Sequence, residues 1–119
     1  MKILVAEDNS SLRAFYETAF ASLQVEFHCC SNGQECLDRL RAEPYDLVLL
    51  DLIMPVMDGF EVLSVIKKEF PKTKVVITSV QDDQRAIDEM FELGAVAYLT
   101  KPFTVQQLEK LIDTAQECA

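Results

Sequence analysis

Residues 46–50 read Asp46-Leu-Val-Leu-Leu50, an apolar run without the alternation of a half-exposed strand. Such a run predicts a strand buried on both faces, as in a sheet that helices cover on both sides. Residues 2–6 and 74–79 form similar runs, and two further strands are predicted over residues 25–29 and 95–99. The chain therefore contains five candidate strands at regular spacing.

Between the strands, apolar residues recur three and four positions apart, which predicts a helix after each strand. The apolar positions that define the five helices are Leu12 to Phe20, Cys36 to Leu40, Val62 to Phe70, Ala86 to Phe91 and Val105 to Ala115. Strict strand–helix alternation predicts an α/β fold, namely a five-stranded parallel sheet with helices on both faces and right-handed crossovers. Because no change of composition divides the chain, we expect a single domain over residues 1–119.

The charge balance excludes several classes of partner. The 119 residues include 20 Asp and Glu against 11 Lys and Arg, a net charge of −9. Nucleic acids and anionic membranes bind proteins through Lys and Arg, so direct binding to either is not expected. The longest apolar runs are too short for a transmembrane helix, and the N-terminus does not resemble a secretory signal.

The cysteines do not form a disulfide or zinc pattern. Cys29 and Cys30 are adjacent, Cys36 and Cys118 are isolated, and no Cys-x-x-Cys pair is present. We therefore expect reduced thiols and a cytoplasmic protein.

Polar side chains follow the predicted strands where parallel sheets bind ligands, beyond the carboxyl ends. Glu7 and Asp8 follow the first strand, Asp51 the third and Lys101 the fifth, while Ser79 ends the fourth. These three carboxylates, one hydroxyl and one ammonium group are expected to lie at one edge of the sheet.

Each of these side chains also has an ordinary structural role open to it. Asp8 could cap the first helix beside Asn9, and Asp51 could be an ordinary acidic residue of a loop. Ser79 could form a hydrogen bond to its own backbone, and Lys101 could be a solvated surface lysine. Together, however, three crowded carboxylates repel one another unless a cation lies between them. A set of oxygen ligands without His or Cys favours Mg²⁺, or Mn²⁺, and the Lys and Ser then indicate a site for a phosphoryl group.

The sequence resembles, from end to end, the receiver domains of bacterial two-component response regulators. The family's acidic pair matches Glu7-Asp8, and its phosphoacceptor loop matches Asp51-Leu-Ile-Met-Pro-Val-Met-Asp-Gly59. Its Lys-Pro-Phe motif matches residues 101–103, preceded by Gly-Ala-x-x-Tyr at 94–98. The resemblance implies a flavodoxin-like strand order, 2-1-3-4-5.

The resemblance also implies the chemistry. Asp51 would accept a phosphoryl group from a sensor histidine kinase or phosphotransfer protein, and the chain would catalyse only its own phosphorylation and dephosphorylation. Asp8, Asp51 and the backbone carbonyl of Ile53 would bind Mg²⁺, with Glu7 acting through a water molecule. Lys101 would pair with the phosphoryl oxygens.

The family's conformational switch depends on a hydroxyl at the end of the fourth strand. Ser79 lies 22 residues before Lys101, the family's usual spacing, so Ser79 is preferred to Thr78, which is expected on the opposite face. Ser79 would turn toward the phosphoryl group and Tyr98 would change rotamer with it. The surface of helix 4, strand 5 and helix 5 would then engage a downstream protein or output domain, and the Lys101–Pro102 bond would be cis.

In one respect the sequence departs from many family members that dimerise through helices 4 and 5. Val96 and Ala97 stand where those proteins have acidic residues, so we expect a monomer or a weak dimer without their salt bridges. Met1 is expected to be the natural start, and the chain could stand alone or be the N-terminal domain of a longer regulator.

Two other functions remain open at this point: an interaction module that works without phosphorylation, and a small Mg²⁺-dependent phosphatase. The complete set of site residues argues against the first. Phosphatases of that kind often carry Asp-x-Asp on the nucleophile strand, and here Ile53 stands where the second acid would be.

Overall fold

A computed structural model describes residues 1–23, 25–54 and 56–117 and confirms the predicted α/β architecture. One parallel sheet has the strand order β2-β1-β3-β4-β5, and a helix follows each strand. The elements are β1 (Lys2–Ala6), α1 (Ser10–Leu23), β2 (Glu26–Cys30), α2 (Gly33–Ala42), β3 (Leu47–Asp51), α3 (Gly59–Glu69), β4 (Lys74–Ser79), α4 (Gln84–Glu92), β5 (Ala97–Thr100) and α5 (Val105–Glu117).

Strand β3 is central, and all five of its residues are buried. Val48 and Leu50 belong to the core beneath α2 and α3, whereas Leu47 and Leu49 belong to the core beneath α1 and α5. Successive side chains of a strand point to opposite faces, so an uninterrupted apolar sequence is what a sheet with two covered faces requires.

The helix N-termini are capped by polar side chains that the loops supply. Asn9 Oδ1 accepts the backbone N–H of Leu12 at 3.1 Å, and Asp58 Oδ1 accepts that of Glu61 at 3.0 Å. Asp83 caps α4 in the same way. Since Asn9 caps α1, Asp8 is not needed for that role.

Two strands end one residue later than the sequence pattern predicts. Strand β2 includes Cys30, and β3 includes Asp51, which pairs in register with Thr78 of β4. The phosphoacceptor candidate is therefore held by the sheet itself rather than by the loop that follows.

Strand β5 begins two residues later than predicted, and the end of α4 uses the backbone N–H of Ala95, the first of these two residues. The N–H of Ala95 donates to the carbonyl of Met90 at 3.0 Å, and the N–H of Gly94 donates to that of Phe91 at 3.0 Å. Gly94 has φ +108°, so these bonds form the glycine-dependent C-terminal cap of a helix. The N–H of Val96 already donates to the carbonyl of Val75 in β4 at 2.9 Å, and the regular β5 pairing begins at Ala97.

Several smaller expectations can be compared with the described residues. The Lys101–Pro102 bond is cis, and Cys29, Cys30 and Cys36 are free thiols. Cys118 and the loop residue Pro55 lie outside the described part of the chain. Within that part, no helix has the length and apolar character needed to cross a membrane.

The loop between β3 and α3 is held by a close backbone approach at Gly59. Its N–H donates to the carbonyl of Leu52 at 2.9 Å. A Cβ atom at this position would lie 2.8 Å from Leu52 Cα and 3.0 Å from the carbonyl oxygen of Asp51. Val56, in the same loop, has φ +72°, which a β-branched residue rarely adopts. The backbone beside Asp51 is thus closely constrained.

We predict that Gly59→Ala destabilises the protein by about 1–3 kcal/mol, because the added methyl group collides with backbone that cannot move away cheaply. Urea unfolding would measure the change. Ser64→Ala is the control, since Ser64 is exposed on the same helix and should change the free energy of unfolding by less than about 0.5 kcal/mol. Equal stability of Gly59→Ala and the wild type would contradict the close approach.

Candidate functional site

The carboxyl ends of the strands surround an open cavity of about 240 Å³. It contains every site residue predicted from the strand ends, and Asn9 and Val80 complete its wall. The predicted residues that line it are Glu7, Asp8, Asp51, Ile53, Ser79 and Lys101.

Three carboxylates converge in this cavity. One oxygen each from Glu7, Asp8 and Asp51 lies within 4.8 Å of the others. Glu7 is 1 % exposed and Asp51 is 6 % exposed, whereas Asp8 is open to solvent. Buried carboxylates this close together require a positive charge nearby.

Lys101 supplies that positive charge from the loop after β5. Its Nζ lies 2.7 Å from Glu7 Oε1 and 3.3 Å from Asp51 Oδ2, so one ammonium group bridges two buried acids. Its backbone N–H donates to the carbonyl of Ser79 at 2.7 Å, which ties the loop to the end of β4. The sequence predicts that Lys101 belongs to the site, but it does not indicate the contact with Glu7.

Glu7 is the most perturbed carboxyl group of the site. Burial, and then the neighbouring Asp51, raise its pKa to about 7, although the hydrogen bond from Lys101 acts in the opposite direction. Near neutral pH its carboxylate is therefore poorly stabilised by the protein alone. A divalent cation would favour the charged form, and the three converging carboxylate oxygens suit Mg²⁺.

The predicted switch residues are connected through the backbone of Gln81. Its N–H donates to Ser79 Oγ at 3.1 Å, and its carbonyl accepts the Tyr98 hydroxyl at 2.8 Å. A movement of the Ser79 hydroxyl would change the first bond, and the β4–α4 loop would carry that change to Tyr98. No sequence signal indicates the part that Gln81 plays, because the link is made by its main chain.

Thr78 does not line the cavity. Strand alternation places it on the same face as Val76, which belongs to the core beneath α1 and α5. Ser79 alternates to the other face and ends at the cavity wall. Ser79 therefore lines the cavity that holds Asp51, and its role as the hydroxyl that contacts a phosphoryl group stays a prediction.

Curated relatives match nearly the whole chain. The "Probable transcriptional regulator ycf27" of Porphyridium aerugineum is 35% identical over 111 residues, which are 93% of this chain and 46% of that protein. The DNA-binding transcriptional regulator NtrC of Escherichia coli (strain K12) is 34% identical over 113 residues, which are 95% of this chain and 24% of that protein. The chain thus spans less than half the length of these relatives.

Solved structures share the fold. The receiver domain of the Francisella response regulator 1452 superimposes with a TM-score of 0.92 at 29% sequence identity, covering 98% of this chain and 96% of that one. The family model described as "Response regulator receiver domain" matches residues 3–113. These matches cover the strands and loops that form the cavity, and the chain belongs to the response regulator receiver domain family.

Proposed function

We propose that this receiver domain works as a phosphorylation switch in which Asp51 accepts the phosphoryl group. The observation that carries the proposal is the position of the Asp51 carboxylate, buried at the end of β3 and 3.3 Å from the Lys101 ammonium. The whole of residues 1–119 is proposed to form this one domain.

The chain's own residues have distinct parts in the reaction. A carboxylate oxygen of Asp51 attacks the phosphorus of a phosphohistidine, so that a P–O bond forms while the P–N bond breaks and the imidazole leaves. Lys101 can contact the transferred oxygens, because its ammonium group already lies between the two buried acids. Such a preorganised charge stabilises the negative charge of the transition state. The chain is thus proposed to catalyse only its own phosphorylation and dephosphorylation.

Asp8, Asp51 and the Ile53 carbonyl are proposed to hold Mg²⁺, or Mn²⁺, with Glu7 acting through water. All four residues line the same cavity. The bound cation would supply charge neutralisation for the phosphoryl oxygens. Because Asp8 is exposed, it provides the solvent-accessible side of the site.

Apolar side chains around the cavity favour a protein as the phosphodonor. Ile53, Val56 and Val80 are 58 %, 79 % and 68 % exposed, and all lie in the two loops that border the site. A groove of about 470 Å³ lies between α1 and the loop after β5, with Val80, Phe15 and Phe103 among its lining residues. Exposed apolar residues that border a polar site are typical of a protein interface. A sensor histidine kinase or phosphotransfer protein fits this surface.

The output surface is proposed to be α4, β5 and α5. Phe91 and Val96 are 46 % and 47 % exposed there, and Tyr98 on β5 is linked to Ser79 through the β4–α4 loop. A downstream protein or an output domain would read this surface. NtrC is named as DNA-binding, but this chain spans only 24% of NtrC, so the expectation that residues 1–119 do not bind DNA stays a prediction. A monomer or weak dimer in the cytoplasm also stays a prediction.

The two alternative functions receive less support from the site. A module independent of phosphorylation has no need for two buried carboxylates held by one lysine, an arrangement that opposes stability. A phosphatase for small substrates often has a second acid, in an Asp-x-Asp motif, and a cap domain that encloses the substrate. Ile53 occupies the acid's position, and the cavity is open.

We predict that the wild type takes up one phosphoryl group from acetyl phosphate with Mg²⁺ and that Asp51→Asn takes up none, because an amide is not a nucleophile here. Intact-mass spectrometry measures the adduct. Asp58→Asn is the matched control. Asp58 lies in the loop between β3 and α3 and caps α3, a role that Asn also fills. A stable adduct on Asp51→Asn would place the phosphoacceptor elsewhere.

The raised pKa of Glu7 predicts a pH dependence of stability. In the folded protein the Glu7 carboxyl group has a pKa of about 7, whereas its ordinary pKa is 4.5. Between these two pH values the folded state therefore binds more protons than the unfolded state. The free energy of unfolding should fall as the pH rises through this range, by up to roughly 3 kcal/mol. Thermal unfolding without Mg²⁺ measures this fall.

Glu7→Gln should lose this part of the pH dependence, because an amide does not titrate. Mg²⁺ should stabilise the wild type more at about pH 8 than at about pH 5, where protons compete for Glu7. An unchanged pH profile in Glu7→Gln would contradict the assignment of the shift to this group.

We predict that Ser79→Ala is still phosphorylated but that phosphorylation changes the surroundings of Tyr98 much less than in the wild type. The variant loses the hydroxyl that links the site to Gln81 and Tyr98. The measurement is the change of amide NMR shifts around Tyr98 on adding beryllofluoride, a phosphoryl mimic. Ser64→Ala removes an exposed hydroxyl far from this link and should respond as the wild type does. If the amide shifts of Ser79→Ala change as much as those of the wild type, another group senses the phosphoryl group.

A further inference from the structure

The guanidinium group of Arg13 on α1 makes a hydrogen bond that the proposed chemistry does not use. Its Nη1 donates to the main-chain carbonyl of Glu7 at 2.8 Å, and the side chain is partly buried. A guanidinium group stays charged at physiological pH, so its partial removal from water is unfavourable unless its donors find partners. The partner here is a main-chain oxygen of the loop between β1 and α1 rather than a carboxylate.

Arg13 contacts this loop at both ends. Its own main-chain N–H donates to the carbonyl of Asn9 at 3.0 Å, while its guanidinium group holds the carbonyl of Glu7. Residues 7 and 9 are also joined directly, because the N–H of Asn9 donates to Glu7 Oε2 at 3.2 Å. These bonds therefore fix the main chain on both sides of Asp8.

Asp8 depends on this main chain more than the other two acids of the site do. Glu7 and Asp51 are buried, and both carboxylates contact the Lys101 ammonium group. Asp8 is exposed, and in the described part of the chain no hydrogen bond or ion pair holds its carboxylate. One of its oxygens still lies within 4.8 Å of the other two acids. The loop that carries Asp8 is therefore what brings this carboxylate to the cavity.

We infer that Arg13 is a positioning residue for the divalent cation, and this inference rests on the proposed Mg²⁺ site of Asp8 and Asp51. By holding the Glu7 carbonyl, the guanidinium group fixes the direction in which the chain presents the Asp8 carboxylate. Arg13 does not line the cavity, so it acts through the loop and not on the cation. Residues that orient metal ligands commonly change the affinity by about 10-fold to 100-fold when they are replaced.

The charge of Arg13 would have the opposite effect on a cation. A positive group repels Mg²⁺, so the removal of this charge alone would strengthen Mg²⁺ binding. The loss of the hydrogen bond to Glu7 would weaken it, because Asp8 would be held less firmly in place. The sign of the change in affinity therefore separates positioning from simple electrostatics.

The test compares Mg²⁺ binding by the wild type and by Arg13→Met, measured from amide NMR shifts without any phosphodonor. Methionine is a good helix former with an unbranched side chain, but it donates no hydrogen bond. The dissociation constant for Mg²⁺ should rise about tenfold. Arg85→Met is the matched control, since it removes the same charge from an exposed residue of α4 and should change the constant by less than about twofold.

Arg13→Lys gives a second comparison, because lysine keeps the charge and can still donate a hydrogen bond. If the hydrogen bond matters, Arg13→Lys should bind Mg²⁺ more tightly than Arg13→Met does. If the charge matters, the order should be reversed.

Phosphorylation by acetyl phosphate gives an independent readout. In Arg13→Met the Mg²⁺ concentration for half the maximal rate should rise by about the same factor as the dissociation constant. The maximal rate at saturating Mg²⁺ should stay within about twofold of the wild type. A variant that had only lost stability would instead show a lower maximal rate, because less of it would be folded.

Unchanged or tighter Mg²⁺ binding by Arg13→Met would overturn the inference, as would an equal weakening by Arg85→Met or weaker binding by Arg13→Lys than by Arg13→Met. If the wild type binds Mg²⁺ but takes up no phosphoryl group, the proposed role of Asp51 as phosphoacceptor fails, and the dissociation constants still decide about Arg13. If the wild type binds no Mg²⁺, the proposed metal site fails and the inference fails with it.

Discussion

The bridge from Lys101 to Glu7 and Asp51 is the interaction on which the site depends. Two carboxylates that are nearly inaccessible to solvent share one ammonium group, at 2.7 Å and 3.3 Å. One cation cannot neutralise two buried acids and the adjacent Asp8, so the cluster retains negative charge. Burial first, and then the neighbouring Asp51, raise the pKa of Glu7, and the excess negative charge makes the site suitable for a divalent cation. The fold provides this arrangement at a cost in stability.

The parallel sheet makes the bridge possible. Glu7, Asp51 and Lys101 are far apart in sequence, but they follow or end β1, β3 and β5, whose carboxyl ends meet at one edge. The apolar strand β3 fixes the centre of the sheet, and Gly59 allows the next helix to begin directly against it. The charged groups are therefore positioned by strands buried on both faces. The loops around them, including the exposed Val56 and Val80, can contact a partner at the site.

Much of this could be predicted from the sequence, because apolar periodicity identifies buried strands and polar residues at their ends identify the site. Predicted strand limits were wrong by one residue at Asp51 and by two at the start of β5, where the α4 cap uses the N–H of Ala95. The sequence pattern did not predict the contact between Lys101 and Glu7 or the link through the Gln81 main chain. Such contacts depend on side-chain rotamers and backbone carbonyls, for which residue identity carries no signal.

The central claim is that the residue buried beside Lys101 is the one that becomes covalently modified. Reductive trapping tests it most directly: borohydride converts an aspartyl phosphate to homoserine, and peptide mass spectrometry then locates the converted residue. After incubation with acetyl phosphate and Mg²⁺, the account predicts homoserine at position 51 and at no other acid of the cavity. Homoserine at Asp8, or a phosphoryl group retained on Ser79 or Thr78, would contradict it.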